Sequence, residues 1–454
     1  MSAADARDCP VTGATPAALL AYERALAAFL GWRSGTEEAL AQALQQSPGF
    51  VMAHLLQAYL LACGRDPKGV RLARPVVARA AALRANSREQ GHLAVLAAVI
   101  DDDYEAAKAR LGDVLDTYPR DAVALHVAHA FDHVTGDVAR LHDRVAAVLP
   151  EWSADLPGYH TVLAMHAFGL GECGDFERAE ETARDALALN PANARAHHVM
   201  AHVFEMTGRT AEGLRWMNAH IQDWAEDSLV STHCWWHLAL FHLAQGEADR
   251  ALALYDRRVR AVPSEGIADL IDAAALLWRL ELEGSTDTRA RWQELSAAWS
   301  PHIDDGFCSF NDVHAMLAFV GARDWQRALR LERALAAAQN LPTRHGQTTL
   351  QLGLPACRAL IAFCRGDDAL ATSLLASLPA HAHRLGGSHA QRDVLHLTLL
   401  KAVERLRRPP RIVLRSSGRA RDGLHGRDRT PVKPAGRQAL HSTELRAADR
   451  ALDA

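Results

Sequence analysis

The feature that most constrains the fold is a regular spacing of turn-forming residues through the middle of the chain. Five of them follow helix-like stretches and are separated by 34, 38, 34 and 38 residues: Asp102, Gly136, Gly174, Gly208 and Gly246. A proline falls 17 residues after three of these positions, at Pro119, Pro191 and Pro263. A period of this length is typical of stacked helical hairpins, none of which can bury its apolar face alone.

Stretch 161–191, "TVLAMHAFGLGECGDFERAEETARDALALNP", shows the complete hairpin pattern. Ala and Leu recur with helical spacing on both sides of a Gly-Asp turn, and weaker copies follow around Trp325 and Gly366. The sequence therefore predicts an all-α protein over residues 15–406, with tetratricopeptide-like hairpins stacked in a right-handed superhelix, an α-solenoid. We expect a flexible N-terminus at 1–14 and a basic, disordered tail at 407–454.

Composition and charge exclude several classes of function. The 454 residues carry a formal net charge of -4, which is too mild for nucleic acid to be the main partner. No uncharged apolar run reaches the ~18 residues of a membrane span, and the first residues lack the pattern of a signal peptide. The seven cysteines are scattered and form no CxxC pair, which favours a reducing cytoplasm. The oligomeric state cannot be predicted from these features.

Histidine is frequent and unevenly distributed, because 13 of the 24 residues lie between His126 and His242. The stretch "HHVMAHVFEM" at 197–206 places His198, His202 and Glu205 at i, i+4 and i+7, on one stripe of a helix. Counted from the Gly208 turn, this stripe takes the repeat positions that face the concave groove. His197 falls on the side that packs within the hairpin.

The next repeat carries the same spacing, with His233 and His237 at i and i+4. Four imidazoles and Glu205 could close on one divalent metal, such as Zn, Fe or Mn, or could act as acid–base groups. The five residues are therefore candidate catalytic residues and candidate metal ligands. The pattern is not HExxH, and a network of neutral imidazoles bonded to carboxylates is the ordinary alternative.

Other groove positions supply candidate substrate-binding residues. His129 and Asp132 lie beside the groove in the repeat that precedes the Gly136 turn, and Trp236 faces the groove where it could stack on a flat substrate. Trp235 falls on the core side of the same helix and is expected to pack there.

Several longer blocks resemble the tetratricopeptide repeat protein 38 family. They are, in the family's order, "AFGLGECGDFERAEETARDALALNP" (167–191), "HVMAHVFEMTGRTAEGLRWM" (198–217), "HCWWHLALFHLAQGEADRALALYD" (233–256), "DAAALLWRLELEG" (272–284) and "GGSHAQRDV" (386–394). The resemblance spans about residues 15–406 and implies an all-helical repeat fold without an established activity. Its pattern adds four candidate substrate-binding residues: Asp272, His314, His389 and Arg392. The chain departs from the family at Gly171 and Ala275.

The "GGSHAQRD" element has its own physical interpretation. Gly386 and Gly387 allow a tight turn with positive φ, and Ser388 can cap the helix that follows. If the superhelix curls round, this element faces the central histidine helices. Arg392 could then anchor a carboxylate or a phosphate, or it could form an ion pair that locks the last repeats.

Two functions fit these features. The first is a hydrolytic or lyase-like enzyme that binds a small anionic molecule in a concave pocket lined by His, Glu, Asp and Arg, with or without a divalent metal. The second is a non-catalytic tetratricopeptide scaffold that binds a peptide or protein in its groove. Peptide-binding repeats favour Asn, Lys and Arg at the groove positions. His, Glu and Trp occupy them here, which favours the first function.

Overall fold

The computed structural model describes residues 3–64, 66–284 and 288–407. Within these ranges the fold is helical apart from a small antiparallel hairpin of β1 (Ala3–Ala4) and β2 (Pro10–Val11). The N-terminal helices are α1 (Pro16–Gly31), α2 (Thr36–Gln46), α3 (Val51–Ala62), α4 (Pro67–Ala81), α5 (Ser87–Ile100), α6 (Tyr104–Thr117), α7 (Ala122–Val134), α8 (Val138–Val148), α9 (Tyr159–Glu172), α10 (Phe176–Leu189), α11 (Ala194–Met206) and α12 (Thr210–Ala219). The C-terminal helices are α13 (Ile221–Ala225), α14 (Ser231–Ala244), α15 (Ala248–Leu254), α16 (Ile267–Leu282), α17 (Arg289–Trp299), α18 (Ser309–Gly321), α19 (Trp325–Ala338), α20 (Arg344–Thr348), α21 (Leu354–Cys364), α22 (Asp368–Leu375), α23 (Leu378–His381), α24 (His389–Arg392) and α25 (Val394–Arg407). The basic tail predicted for 407–454 lies outside the described residues, except for Arg407 itself.

The turns of the hairpins lie where the sequence period places them. In each of these hairpins the second residue after the first helix has a positive φ, which stops the helix. These residues are Asp102 (60°), Gly136 (66°), Gly174 (87°), Gly208 (69°) and Gly246 (74°). Arg323 and Gly366 do the same in the two weaker copies. An aspartate often follows and caps the next helix by accepting a backbone N–H, as Asp103 and Asp175 do. The predicted all-α solenoid of tetratricopeptide-like hairpins is confirmed.

The helices form an inner and an outer layer. Eleven of the 13 residues of α11 are buried, whereas only three of the 14 residues of α10 are. The inner helices α9, α11, α14 and α16 contact one another in this order, and the amphipathic second helices cover them on the outside. Among the described residues, no helix is both long enough and apolar enough to cross a membrane.

The first hairpin reaches across the interior to the middle of the chain. The Arg33 guanidinium donates to the carbonyl of Ala192. Arg195 on α11 donates from Nε to the carbonyl of Leu30 at 2.9 Å, and its guanidinium carbon lies 3.5 Å from the centre of the Trp32 ring. These contacts close one side of the space that the sequence predicted to be an open groove.

Residues 386–393, called here the C-terminal segment, close the other side. Arg392 pairs with Glu172 of α9 at 3.3 Å, and Gln391 donates from Nε2 to Asp272 of α16 at 3.3 Å. The superhelix therefore curls far enough to bring residues more than 200 positions apart into contact. As a result, the inner face is an enclosed interior.

The N-terminal segment, for which flexibility was expected at 1–14, contributes two buried side chains that form ion pairs. Asp5 and Arg7 are 4% and 2% exposed. Asp5 pairs with Arg88 of α5 at 3.1 Å, and Arg7 pairs with Glu23 of α1 at 2.7 Å. These partners lie further along the chain, where the local composition of the segment gives no sign of them.

Candidate functional site

Helices α11 and α14 bring four imidazoles together in the enclosed interior. One ring nitrogen from each of His198, His202, His233 and His237 lies within 4.8 Å of the others. The Nε2 atoms of His198 and His202 are 2.9 Å apart. The i, i+4 spacing on each helix sets one pair on one face, and the stacking of neighbouring hairpins sets the two pairs opposite each other. We call this set the four-histidine centre.

Two carboxylates orient the imidazoles of α14. Nδ1 of His233 lies 2.9 Å from Asp272 of α16, and Nδ1 of His237 lies 3.0 Å from Oε2 of Glu205. Because a carboxylate accepts hydrogen bonds, each Nδ1 carries the proton, and each Nε2 is left with a lone pair. Imidazoles that ligate a metal are held in this way in most metal sites.

The buried imidazoles are uncharged at neutral pH. Burial lowers the pKa of His198, His202 and His237 well below the usual value, and the neighbouring imidazoles lower it further. Burial raises the pKa of Glu205 to about 7, against the effect of Arg279. Neutral imidazoles are the form that binds a metal.

Several polar atoms at the centre lack a hydrogen-bond partner among the described residues. They are Nδ1 of His202, Nε2 of His237 and Nε1 of Trp236. Buried polar groups are nearly always satisfied in proteins, so such a group is a place where a ligand, an ion or water is expected. The Trp236 ring is fully buried and stacks on His233 with centroids 5.1 Å apart. Trp235 packs on Trp224 in the core, as expected.

A cleft of about 200 Å³ opens between α9 and α11 beside the centre. His202 forms part of its wall, so this residue belongs to both the centre and the cleft. The rest of the wall is largely apolar and includes Phe168, Val203 and Met206. The side chain of His389 lies at the rim and is exposed.

The C-terminal segment covers the centre, and Arg392 has intramolecular partners. The guanidinium of Arg392 pairs with Glu172, whose other oxygen accepts the backbone N–H of His389 at 3.2 Å. Ser388 caps α24 as expected. Gly386 and Gly387 take φ values of 84° and 80°, also as expected. The ion-pair alternative for Arg392 is realised with a glutamate on α9.

Three of the predicted substrate-binding residues lie outside the four-histidine centre. His129 donates from Nε2 to the carbonyl of Met165 at 3.2 Å. Asp132 is fully buried and pairs with Arg144 at 2.8 Å. His314 on α18 donates from Nδ1 to the carbonyl of Phe310 at 2.8 Å. The groove register placed the first two beside the pocket, but His129 is bonded to the next hairpin and Asp132 to the second helix of its own hairpin.

Three residues that complete the surroundings were not among the predicted site residues. Arg279 on α16 lies 5.3 Å from the centre of the Trp236 ring and donates to the carbonyl of Ala390. Glu172 binds the C-terminal segment, and Trp32 lies 6.1 Å from the ring of His198. Arg279 belongs to the resembling block at 272–284, which was a usable signal, whereas Trp32 had none.

A second group of possible ligands is called saturated here, because both ring nitrogens of one member, His197, already form hydrogen bonds. His197, His220 and Asp223 also offer atoms within 4.8 Å of one another. Trp216 donates from Nε1 to Nδ1 of His197, so Nε2 of His197 carries the proton and donates to the carbonyl of Pro191 at 2.9 Å. Both nitrogens of His197 are therefore engaged, and it serves packing as the sequence indicated.

The protonation of the buried Asp312 on α18 can be tested through the pH dependence of stability. Its side chain is 4% exposed, and burial together with Asp305 raises its pKa to about 8. The folded state therefore holds a proton that the unfolded chain releases above pH ~4, and stability falls as the pH rises from about 4 to 8. We expect Asp312→Asn to raise the free energy of unfolding at pH 7.5 by about 2–4 kcal/mol and to flatten its pH dependence. Urea denaturation at pH 5 and 7.5 measures both, with the exposed Asp116→Asn as the control. An unchanged pH slope would contradict a neutral Asp312.

Comparison with known proteins adds little to these observations. No family model matches the chain. Among solved structures, the crystal structure of the P58(IPK) TPR domain at 2.5 Å aligns with 76% of this chain and 88% of that one, at 14% identity and a TM-score of 0.24. A TM-score this low carries no weight for function. The protein class is therefore defined by the hairpins themselves, as an α-solenoid of tetratricopeptide-like repeats with a histidine cluster in its interior.

Proposed function

We propose that this chain is a metal-dependent repeat protein. In this proposal the four-histidine centre holds one divalent ion, and the protein binds and transforms a small anionic molecule. The observation that carries the proposal is the convergence of four imidazoles in a buried interior, two of them oriented by Asp272 and Glu205. Carboxylate–histidine pairs of this kind support metal ligands, and nothing in helix packing requires them.

The charge of the interior supports a bound cation. Asp272 is 2% exposed, and Glu205 faces the same centre. Their closest partners are the imidazoles of His233 and His237. The cations near the centre include the buried Arg279, on which Asp393 also acts, and Arg392, which pairs with Glu172. Buried carboxylates need a compensating charge, which a divalent ion would supply at the point where the imidazole nitrogens converge.

The donor set narrows the choice of ion. Four imidazoles, with the carboxylates held behind them, suit Zn or Fe, whereas Mn prefers oxygen ligands. We therefore propose Zn or Fe ahead of Mn. A bound ion would act as a Lewis acid and would lower the pKa of a water molecule beside it. Glu205, which accepts the Nδ1 proton of His237, is the carboxylate placed to hold and release a proton in a hydrolytic or lyase-like reaction.

Removal of the α11 ligands tests the metal site. Purified protein is expected to contain about one Zn or Fe per chain by elemental analysis. The His198→Ala/His202→Ala variant is expected to lose the ion, because two nitrogens cannot hold a divalent ion in competition with buffer and chelator. The measurement is the ion-to-protein ratio after dialysis against a weak chelator and reloading.

His220→Ala is the matched control, since it removes an imidazole from the saturated second group. This variant is expected to keep the ion-to-protein ratio of the wild type. A wild-type protein that takes up no ion after reloading would overturn the metal site. An equal loss of the ion in His220→Ala would indicate that the ion binds at the second group instead.

A scaffold that binds a peptide or protein is the second candidate, and the stacked hairpins are what support it. The inner face, however, is occupied by Trp32 and Arg195 on one side and by the C-terminal segment on the other. A peptide would therefore have to use the outer helices or displace one end of the chain. Stoichiometric metal in the wild type favours the first candidate.

The resemblance to the tetratricopeptide repeat protein 38 family remains part of this proposal. It rests on the blocks that supply His198, His202, His233, His237 and Asp272. A cytoplasmic location is proposed from the seven free cysteines.

A further inference from the structure

The carboxylate partners of the four-histidine centre are unevenly distributed. On α14, His233 and His237 each have one, Asp272 and Glu205. On α11, His202 is 6% exposed, and its buried Nδ1 has no hydrogen-bond partner among the described residues. His202 is also the member of the centre that forms part of the cleft wall.

The cleft has the size and lining for a small ring. Its volume is about 200 Å³, and an apolar cavity of about 150 Å³ is enough to hold benzene. Phe168, Phe176, Val199, Val203 and Met206 supply the apolar wall. The polar side chains on the wall are Glu172, Cys173, His202 and His389, and the charge of Glu172 is paired with Arg392. A few polar groups on an apolar wall are typical of a small-molecule site in which those groups fix the orientation.

We infer that the cleft binds a small aromatic carboxylate, whose carboxylate group accepts a hydrogen bond from His202 and so completes a third carboxylate–histidine pair. This inference rests on the proposed function, because Nδ1 of His202 carries the proton when Nε2 faces the ion. The ring of the ligand fills the apolar part of the cleft. The ligand and the ion then stabilise each other's binding, since a carboxylate on Nδ1 makes the imidazole a better metal ligand.

Benzoate is the probe for this coupling. The dissociation constant of zinc is measured by competition with a chromogenic chelator, with and without 10 mM benzoate. We expect benzoate to tighten zinc binding by about tenfold, the lower end of the effect of such outer partners. Benzamide, which has a similar ring and no charge, and acetate, which has the charge and no ring, are expected to have little effect.

Two variants separate the cleft from other benzoate sites. Met206→Trp fills the cleft, so it is expected to abolish the effect of benzoate while it keeps the zinc affinity measured without benzoate. Leu189→Trp places the same ring at a 47% exposed position of α10 and is expected to keep the effect. Benzoate is also expected to slow the alkylation of the exposed Cys173, which lies on the cleft wall, in the Leu189→Trp variant but not in Met206→Trp.

The outcomes separate this inference from the proposed function. Zinc that binds tightly but does not respond to benzoate would overturn the inference and leave the metal site standing. A benzoate effect that persists in Met206→Trp would also overturn it, because the ligand would then lie elsewhere. Failure to bind zinc at all would overturn both.

Discussion

Arg88→Ala is expected to lower the free energy of unfolding by about 3–5 kcal/mol, among the largest effects of any single substitution in this chain. The Arg88 side chain is fully buried between two buried carboxylates, with Nε 2.7 Å from Asp121 and Nη1 3.1 Å from Asp5. Burial opposes the charge on Asp121, but Arg88 and His92 hold the pKa of Asp121 well below its usual value. Alanine would leave both carboxylates buried without their shared cation.

Urea denaturation at pH 7 measures this change. Arg178→Ala is the matched control, because Arg178 forms an ion pair with Asp175 but is 61% exposed. That variant is expected to change the free energy of unfolding by no more than about 1 kcal/mol. A similarly small effect for Arg88→Ala would mean that water reaches the two carboxylates, contrary to the packing of the N-terminal residues.

Asp272→Asn and Glu205→Gln are each expected to weaken zinc binding by about 10- to 100-fold. Both substitutions keep the shape of the side chain and remove the charge that orients and polarises an imidazole. They also leave the ion less well neutralised in the interior. Competition with a chromogenic chelator at pH 7.5 gives the affinities.

Asp223→Asn is the control for these variants, since Asp223 bonds to His220 at 2.9 Å in the saturated second group. It is expected to leave zinc affinity unchanged. If Asp272→Asn and Glu205→Gln also left zinc affinity unchanged, the carboxylates would serve only the fold. The main argument for a metal at the four-histidine centre would then be contradicted.

The sequence predicted what depends on neighbouring repeats. The turn at Gly208 fixes the register of α11, and the turn at Gly246 fixes that of α14. The convergence of His198 and His202 with His233 and His237 therefore follows from the repeat period and the histidine spacing alone. These contacts are local in a solenoid, because each hairpin packs on the next one.

The sequence did not predict what depends on the accumulated curvature of the stack. Trp32 beside His198 and Arg392 on Glu172 join parts of the chain that only a particular superhelical twist brings together. The spacing of the repeats in the sequence does not determine that twist. The assignment of His129 to the groove is a different case, because its ring is bonded to the carbonyl of Met165 on the neighbouring hairpin, a contact that the repeat register alone does not show.

The closure of the interior by residues 386–393 has a consequence for how the protein is made. The chain is synthesised from its N-terminus at about 5–20 residues per second, so roughly 7–30 s pass between the appearance of His237 and that of the covering residues. During that interval the imidazoles of α11 and α14 are accessible to an ion from solution while translation continues. If the four-histidine centre holds an ion as proposed, its insertion would be a step of biosynthesis that is completed before the finished fold restricts access.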